Sequence, residues 1–92
     1  MDFSEALTAL KNGSRITRTG WNGRGMWLVV VPGSTITVEI GRPLGNAAPE
    51  LVGQQVSYLP HIDMCTAQGS IVPWIASQTD LLAEDWKVQV AA

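Results

Sequence analysis

The sequence predicts a small α+β domain: an N-terminal helix, a mostly antiparallel small sheet, and a short helix near the C-terminus. Three observations carry this. Phe3, Ala6, Leu7 and Leu10 fall at i, i+3, i+4 and i+7, the spacing of one buried helical stripe. Residues 27–31 (WLVVV) are apolar at every position, as a central strand requires. The remaining apolar residues mostly come in short runs separated by Gly and Pro turns.

The elements follow in order. Asp2 and Glu5 have the spacing of a capping pair at the start of the first helix, and Asn12-Gly13 supplies the left-handed residue that ends it. Residues 15–18 form a short strand. Alternation puts Ile16 and Arg18 on one face, so an Ile16 turned to the core aims the Arg18 guanidinium at the rim of the same side. Residues 27–31 then end at the Pro32-Gly33 turn, and Trp27 is expected to fill the core. Residues 35–40 alternate, with Ile36, Val38 and Ile40 facing in. Residues 41–55 hold three Gly and two Pro without periodicity and read as a long loop. A strand is expected over 58–66, with Ile62 and Met64 on one side and His61, Asp63 and Cys65 on the other. Gln68-Gly69 turns it into a strand over 70–74, where Pro73 marks an edge or an end. Residues 77–83 form the short helix, and 86–90 close the chain as an alternating strand.

The totals bound the function. At 92 residues the chain is one domain, spanning 1–92. It is 46% hydrophobic and 15% charged, too apolar for a disordered tail. Four Trp in so short a chain supply much of a core, an interface or both. A net charge of −2 argues against a duplex nucleic acid as partner, although Lys11, Arg15, Arg18 and Arg24 cluster early enough to hold one or two phosphates. A single cysteine excludes an intrachain disulfide. The start, MDFSEALTAL, carries acids where a secretory leader needs basic residues, and the apolar run 26–32 is far below the roughly 20 residues that span a bilayer. The reading is of a cytosolic protein with no membrane partner.

Catalysis and metal binding find little support in the residues. Ser77, His61 and Asp80 supply the residue types of a nucleophile, base and orienter, but no nucleophile elbow accompanies them. One His, one Cys and scattered carboxylates lack the paired spacing of a zinc site, and no loop has the pattern of a calcium site. No cofactor is implied.

Binding is better supported. Trp21 lies between Gly20 and Asn22-Gly23, where polar neighbours and a permissive backbone suit a ring that covers a pocket. Stacking on a base is worth about 1–3 kcal/mol, and Arg18 and Arg24 stand close enough in sequence to add charge-assisted bonds to a phosphate. Ser77 and Asp80 have the S-x-x-D spacing of a capping box. The same helix start presents unpaired N–H groups, a ready anion site, with Ser77 and Thr79 hydroxyls as donors and Asp80 as acceptor for a ribose hydroxyl. Rings, cations and a helix start together suit a compact nucleotide-like anion.

Five blocks also carry a resemblance: F-x-E-A-L-x-A-L-K-x-G at 3–13, R-x-G-W-N-G-x-G-M at 18–26, V-P-G-S at 31–34, H-I-D-M at 61–64, and V-P-W-x-A-S-Q-T-D-L-L-A-x-D-W at 72–86. In these the chain resembles the phage-encoded Thoeris anti-defence proteins of the second type, over nearly its whole length. The resemblance implies a non-enzymatic sponge in the host bacterial cytoplasm during infection. Such a protein sequesters a cyclic ADP-ribose-type immune signal, in some members also cyclic dinucleotides, in a homotetramer with pockets where subunits meet. Carried over by motif, the ligand contacts are Trp21, Asn22 and Gly23 from the second block and Trp74, Ser77, Gln78, Thr79 and Asp80 from the last. Arg18, Arg24 and Met26 complete the candidate ligand-binding set, and the 41–55 segment is the place to set signal preference. The competing reading is a protein-interaction or structural module whose exposed Trp residues anchor another polypeptide.

Overall fold

A computed structural model describes residues 1–21 and 25–90. Helix α1 spans Phe3–Lys11, and its capping box is formed: the Glu5 N–H donates to Asp2 Oδ1 at 2.9 Å, and the Asp2 N–H donates to Glu5 Oε1 at 3.2 Å. Gly13 ends it with φ +92°, a conformation that a side chain would strain. Strands β1 (Ile16–Arg18) and β2 (Trp27–Val31) follow, then β3 (Ser34–Thr37), helix α2 (Pro43–Ala47), a 3₁₀ turn (Pro49–Leu51) and β4 (Gln55–Tyr58). Next come β5 (His61–Cys65), β6 (Ile71–Pro73), helix α3 (Gln78–Leu82) and β7 (Trp86–Val88).

Five strands form one antiparallel sheet in the order β6-β5-β2-β1-β7, so the all-apolar strand is central and the Pro73 strand is an edge, as expected. β3 and β4 pair with each other as a separate two-stranded ribbon. Helix α1 contacts β1, β2 and β7. Ala6 and Leu10 from the helix, Ile16, Leu28 and Trp86 from the strands make the buried core.

Trp86 is the hub of that core. Phe3, Trp21 and Trp74 meet its indole edge-to-face, at centroid separations of 5.4, 5.3 and 6.1 Å. Such pairs add about 0.5–1.5 kcal/mol each beyond the area they bury. The Trp86 indole N–H is satisfied by the Asp80 carbonyl at 2.9 Å, which ties the start of β7 back to α3.

The structure corrects four expectations. Residues 41–55 hold α2 and the 3₁₀ turn rather than a loop; five helical residues are too few to show a period, and Pro43 presets the first turn. Gly45 is required there, because a Cβ would run into the carbonyl oxygen of Glu39. The expected strand over 58–66 is two strands, broken at Leu59-Pro60, and its first part pairs with β3. Of the three residues expected to face in along 35–40, Val38 is buried at 2% exposure, but Ile36 and Ile40 are 40% and 83% exposed. The ribbon stands apart from the helix-backed sheet, so alternation there does not mark a core face. Trp27 lies outside the buried core: its β2 neighbour Leu28 takes the core-facing position, and Trp27 is half-buried beneath the Arg15 guanidinium, 4.4 Å from the ring centre.

With so few buried side chains, each is felt. Leu28→Ala is expected to cost about 2–5 kcal/mol of unfolding free energy, whereas Ile36→Ala on the ribbon costs under about 1 kcal/mol. Urea denaturation followed by Trp fluorescence measures both, and equal losses would mean the ribbon shares the main core.

Candidate functional site

The site is built from the end of β1. Arg18 projects from that strand with its side chain only 13% exposed, between two carboxylates. Its Nη1 donates to Asp80 Oδ1 at 2.8 Å and its Nε to Asp85 Oδ1 at 2.8 Å. The Trp21 indole N–H donates to the same Asp80 Oδ1 at 3.1 Å. The chain between them turns tightly, the Trp21 N–H meeting the Arg18 carbonyl, and the Gly20 N–H donates to Asp85 Oδ2 at 2.7 Å. Glycine suits that approach: a Cβ on residue 20 would sit 2.7 Å from Asp85 Oδ2, and the carboxylate would have to shift.

Asp80 also completes the capping box of α3, accepting from the Ser77 N–H at 3.3 Å while its own N–H donates to Ser77 Oγ at 3.0 Å. Burial pushes the Asp80 carboxyl pKa up, but the bonds from Trp21, Arg18 and Ser77 outweigh it and leave it below the ordinary 3.8. The Arg18 hydrogen bond lowers Asp85 likewise, and bonds to Asp85 and Asp80 raise Arg18. All three groups are charged at neutral pH, and together they carry a net −1.

A cavity of about 260 Å³ opens beside this cluster, lined by Thr17, Arg18, Thr19, Trp21, Gly25, Met26, Lys87 and Gln89. Thr17 Oγ1 donates to the Met26 carbonyl at 2.6 Å, fixing the wall between β1 and β2. The β1–β7 register pairs Thr17 with Lys87, so both side chains emerge on one face of that ladder.

The sequence-derived candidates therefore divide. Trp21, Arg18 and Met26 line the cavity. Asp80 does not line it but holds Trp21 and Arg18 from behind. Trp74 packs against Phe3 and Trp86 instead of facing the cavity. Ser77 caps α3, and Gln78 and Thr79 are exposed in its first turn, away from the cavity lining. Asn22, Gly23 and Arg24 lie outside the described residues. Two further expectations change in detail. The Arg18 charge is already offset by two carboxylates, and of the N–H groups in the first turn of α3 that of Asp80 is taken up by the expected cap. Ser77, His61 and Asp80 have other partners: His61 Nε2 lies 3.4 Å from Asp63 Oδ1, while Ser77 and Asp80 serve the cap.

Thr17, Thr19, Gly25, Lys87 and Gln89 were not singled out in the sequence. Alternation over 86–90 does put Lys87 and Gln89 on one face, but only the pairing of β7 with β1 brings Lys87 beside Thr17 and both residues into the cavity lining.

Fold and site together define a small α+β domain with the Trp21 indole pinned on Asp80 beside a cavity. The chain matches the family of Thoeris anti-defense 2-like domains over residues 1–89, and it belongs to that family. It is similar to a protein named Thoeris anti-defense 2 from Bacillus phage SP01, 36% identical over 88 residues, which cover 96% of this chain and 93% of the relative. Membership assigns it an anti-defence role. Among the described residues no helix is long and apolar enough to cross a membrane.

The depressed carboxyl pKa values give a pH dependence with a definite sign. Stabilisation by Asp80 and Asp85 is fully present above their unfolded value near 3.8 and is lost as pH falls through the lower folded values. Unfolding free energy should be flat from about pH 8 to 5 and fall below about pH 4. Asp80→Asn should cost about 1–3 kcal/mol at pH 7, since it faces Arg18 with a neutral group, and should flatten the acid limb. Denaturant titrations across pH test this; an acid limb identical in wild type and variant would remove Asp80 from the account.

Proposed function

We propose that the chain is a sponge: it binds a cyclic ADP-ribose-type immune signal and sequesters it without cleaving it, with cyclic dinucleotides as a second class of guest. The observation that carries this reading is the Trp21 indole, which lines the cavity while its N–H is fixed on Asp80. A ring held in place offers a stacking surface for a base, worth about 1–3 kcal/mol. The Thr17 and Thr19 residues of the wall suit the hydroxyls and phosphates of a nucleotide, and the name of the phage relative fits the same reading.

The chain acts as a homotetramer in this proposal, with each site completed by a neighbouring subunit. Two features support it. The cavity, at about 260 Å³, is below the roughly 300–1,000 Å³ typical of small-molecule pockets, so one chain encloses part of such a guest. The radius of gyration of 16.4 Å exceeds the roughly 12 Å expected for a compact domain of this length, and the ends of the sheet and the ribbon expose Ile40, Leu59, Ile75 and Val90.

The reading as a module that anchors a polypeptide through exposed Trp residues has less support. None of the four indoles is exposed: Trp86 is buried and Trp21, Trp27 and Trp74 are half-buried.

Incubation with cyclic ADP-ribose-type signals should deplete them from solution, and heating the complex should return them intact by mass spectrometry. Recovery of a cleaved product would place the protein among enzymes instead. Trp21→Ala should weaken capture at least tenfold, a loss consistent with about 1–3 kcal/mol of stacking, while far-ultraviolet circular dichroism stays that of a folded domain. Unchanged affinity would remove the ring from the site.

A further inference from the structure

Among the described residues, two with cationic side chains line the cavity, Arg18 and Lys87. Arg18 is held at 2.8 Å by each of two carboxylates, Asp80 and Asp85, and has no net charge to offer a guest. Lys87 is exposed and makes no ion pair among the described residues. Arg15, on the neighbouring strand end, lies over the Trp27 ring and does not line the cavity. Two residues beyond Lys87, Gln89 continues the β7 pairing by donating its N–H to the Arg15 carbonyl at 2.9 Å, so its side chain leaves on the Lys87 side. Its Oε1 is buried and finds no hydrogen-bond partner among the described residues. A half-turn of the amide would exchange that oxygen for an NH₂ group and leave the demand unmet.

We propose that β7 carries the polar recognition of the guest: Lys87 binds its phosphate, and Gln89 turns its amide to pair with a hydrogen-bonding group of the base or ribose. This rests on the sponge reading and assigns the anion contact within it to Lys87 instead of Arg18. A guest bearing both a phosphate and a donor edge satisfies both side chains; an uncharged nucleoside satisfies only one. Removing the unpartnered Gln89 amide relieves a buried polar group of the empty protein, so its loss separates binding from folding.

Calorimetric titration with cyclic ADP-ribose as the probe tests this, with thermal melts of the empty variants alongside. Lys87→Ala should weaken binding about 10- to 100-fold, the range for a hydrogen bond to a charged group, and Lys87→Arg should restore most of it. Gln89→Leu should weaken binding about fivefold or more, with the melting temperature of the empty protein unchanged or raised. A wild type that does not bind the probe overturns both this inference and the sponge reading. A wild type that binds it, with Lys87→Ala at wild-type affinity, overturns the assignment to β7 alone. Loss of binding by Gln89→Leu together with a lowered melting temperature overturns the role given to Gln89.

Discussion

One residue, Asp80, holds the described architecture of the site together. Its Oδ1 receives Arg18 from β1 and the indole of Trp21, its Oδ2 closes the α3 cap, and its carbonyl receives the indole of Trp86 at the start of β7. Two stretches distant in sequence, 18–21 and 77–86, thus converge on a single side chain and its backbone. A chain with only five side chains in its main buried cluster has little apolar burial with which to fix such an arrangement. Directional polar contacts do it instead, and they are strong where one partner is charged and the site is largely shielded from water. Arg18 suits this position better than lysine would, because its planar fork reaches two carboxylates at once.

The same clamp redefines the electrostatics of the cavity rim. An arginine close to a tryptophan in sequence suggests a positive lip. Once Asp80 and Asp85 are placed, the lip carries a net negative charge, and an anionic guest gains nothing from it. In the proposed reading attraction has to come from Lys87, which the paired register of β1 and β7 puts beside Thr17 in the cavity lining. Arg18 is then best understood as part of the frame that aims Trp21, with the contacts to a guest made by groups that the frame leaves free.

This shows which parts of the site could be read from sequence. Local rules succeeded where the interaction is local: both capping boxes, the glycine that ends α1, the central strand and the hairpin turn at Gly69 depend on residues within five positions of each other. The proximity of Trp21 to Asp80 was legible only indirectly, through the reading that gathered a ring, cations and a helix start around one guest. The role of Arg18 was not, since its partners lie 62 and 67 positions away and no spacing rule connects them. Trp74 was carried into the candidate set with the motif that contains it, yet it serves the aromatic core. Lys87 and Gln89 sit in an unremarkable alternating strand whose importance comes from the strand beside it. In α2 the helix is fixed by Pro43 and by the backbone of Gly45 lying against Glu39, contacts that leave no periodic trace.

A protein that acts by sequestration faces a different demand from an enzyme. It has no turnover to favour a transition state over a ground state, so every contact made with the guest itself is useful. What matters is slow release, and related complexes differ in affinity mostly through their dissociation rates. An indole that swung freely would have to be ordered at each binding event, at a cost of about 0.5–1.5 kcal/mol for an immobilised side chain. In this chain the ring is already held by its N–H on Asp80 and by its edge-to-face contact with Trp86. That ordering is completed when the domain folds, once per molecule, so the guest of the proposed sponge would meet a surface already in place. In the proposed sponge, the ion cluster behind Trp21 would therefore bear on capture as much as on stability: by spending the charge of Arg18 on the frame, it gives up a phosphate contact for a preorganised stacking platform.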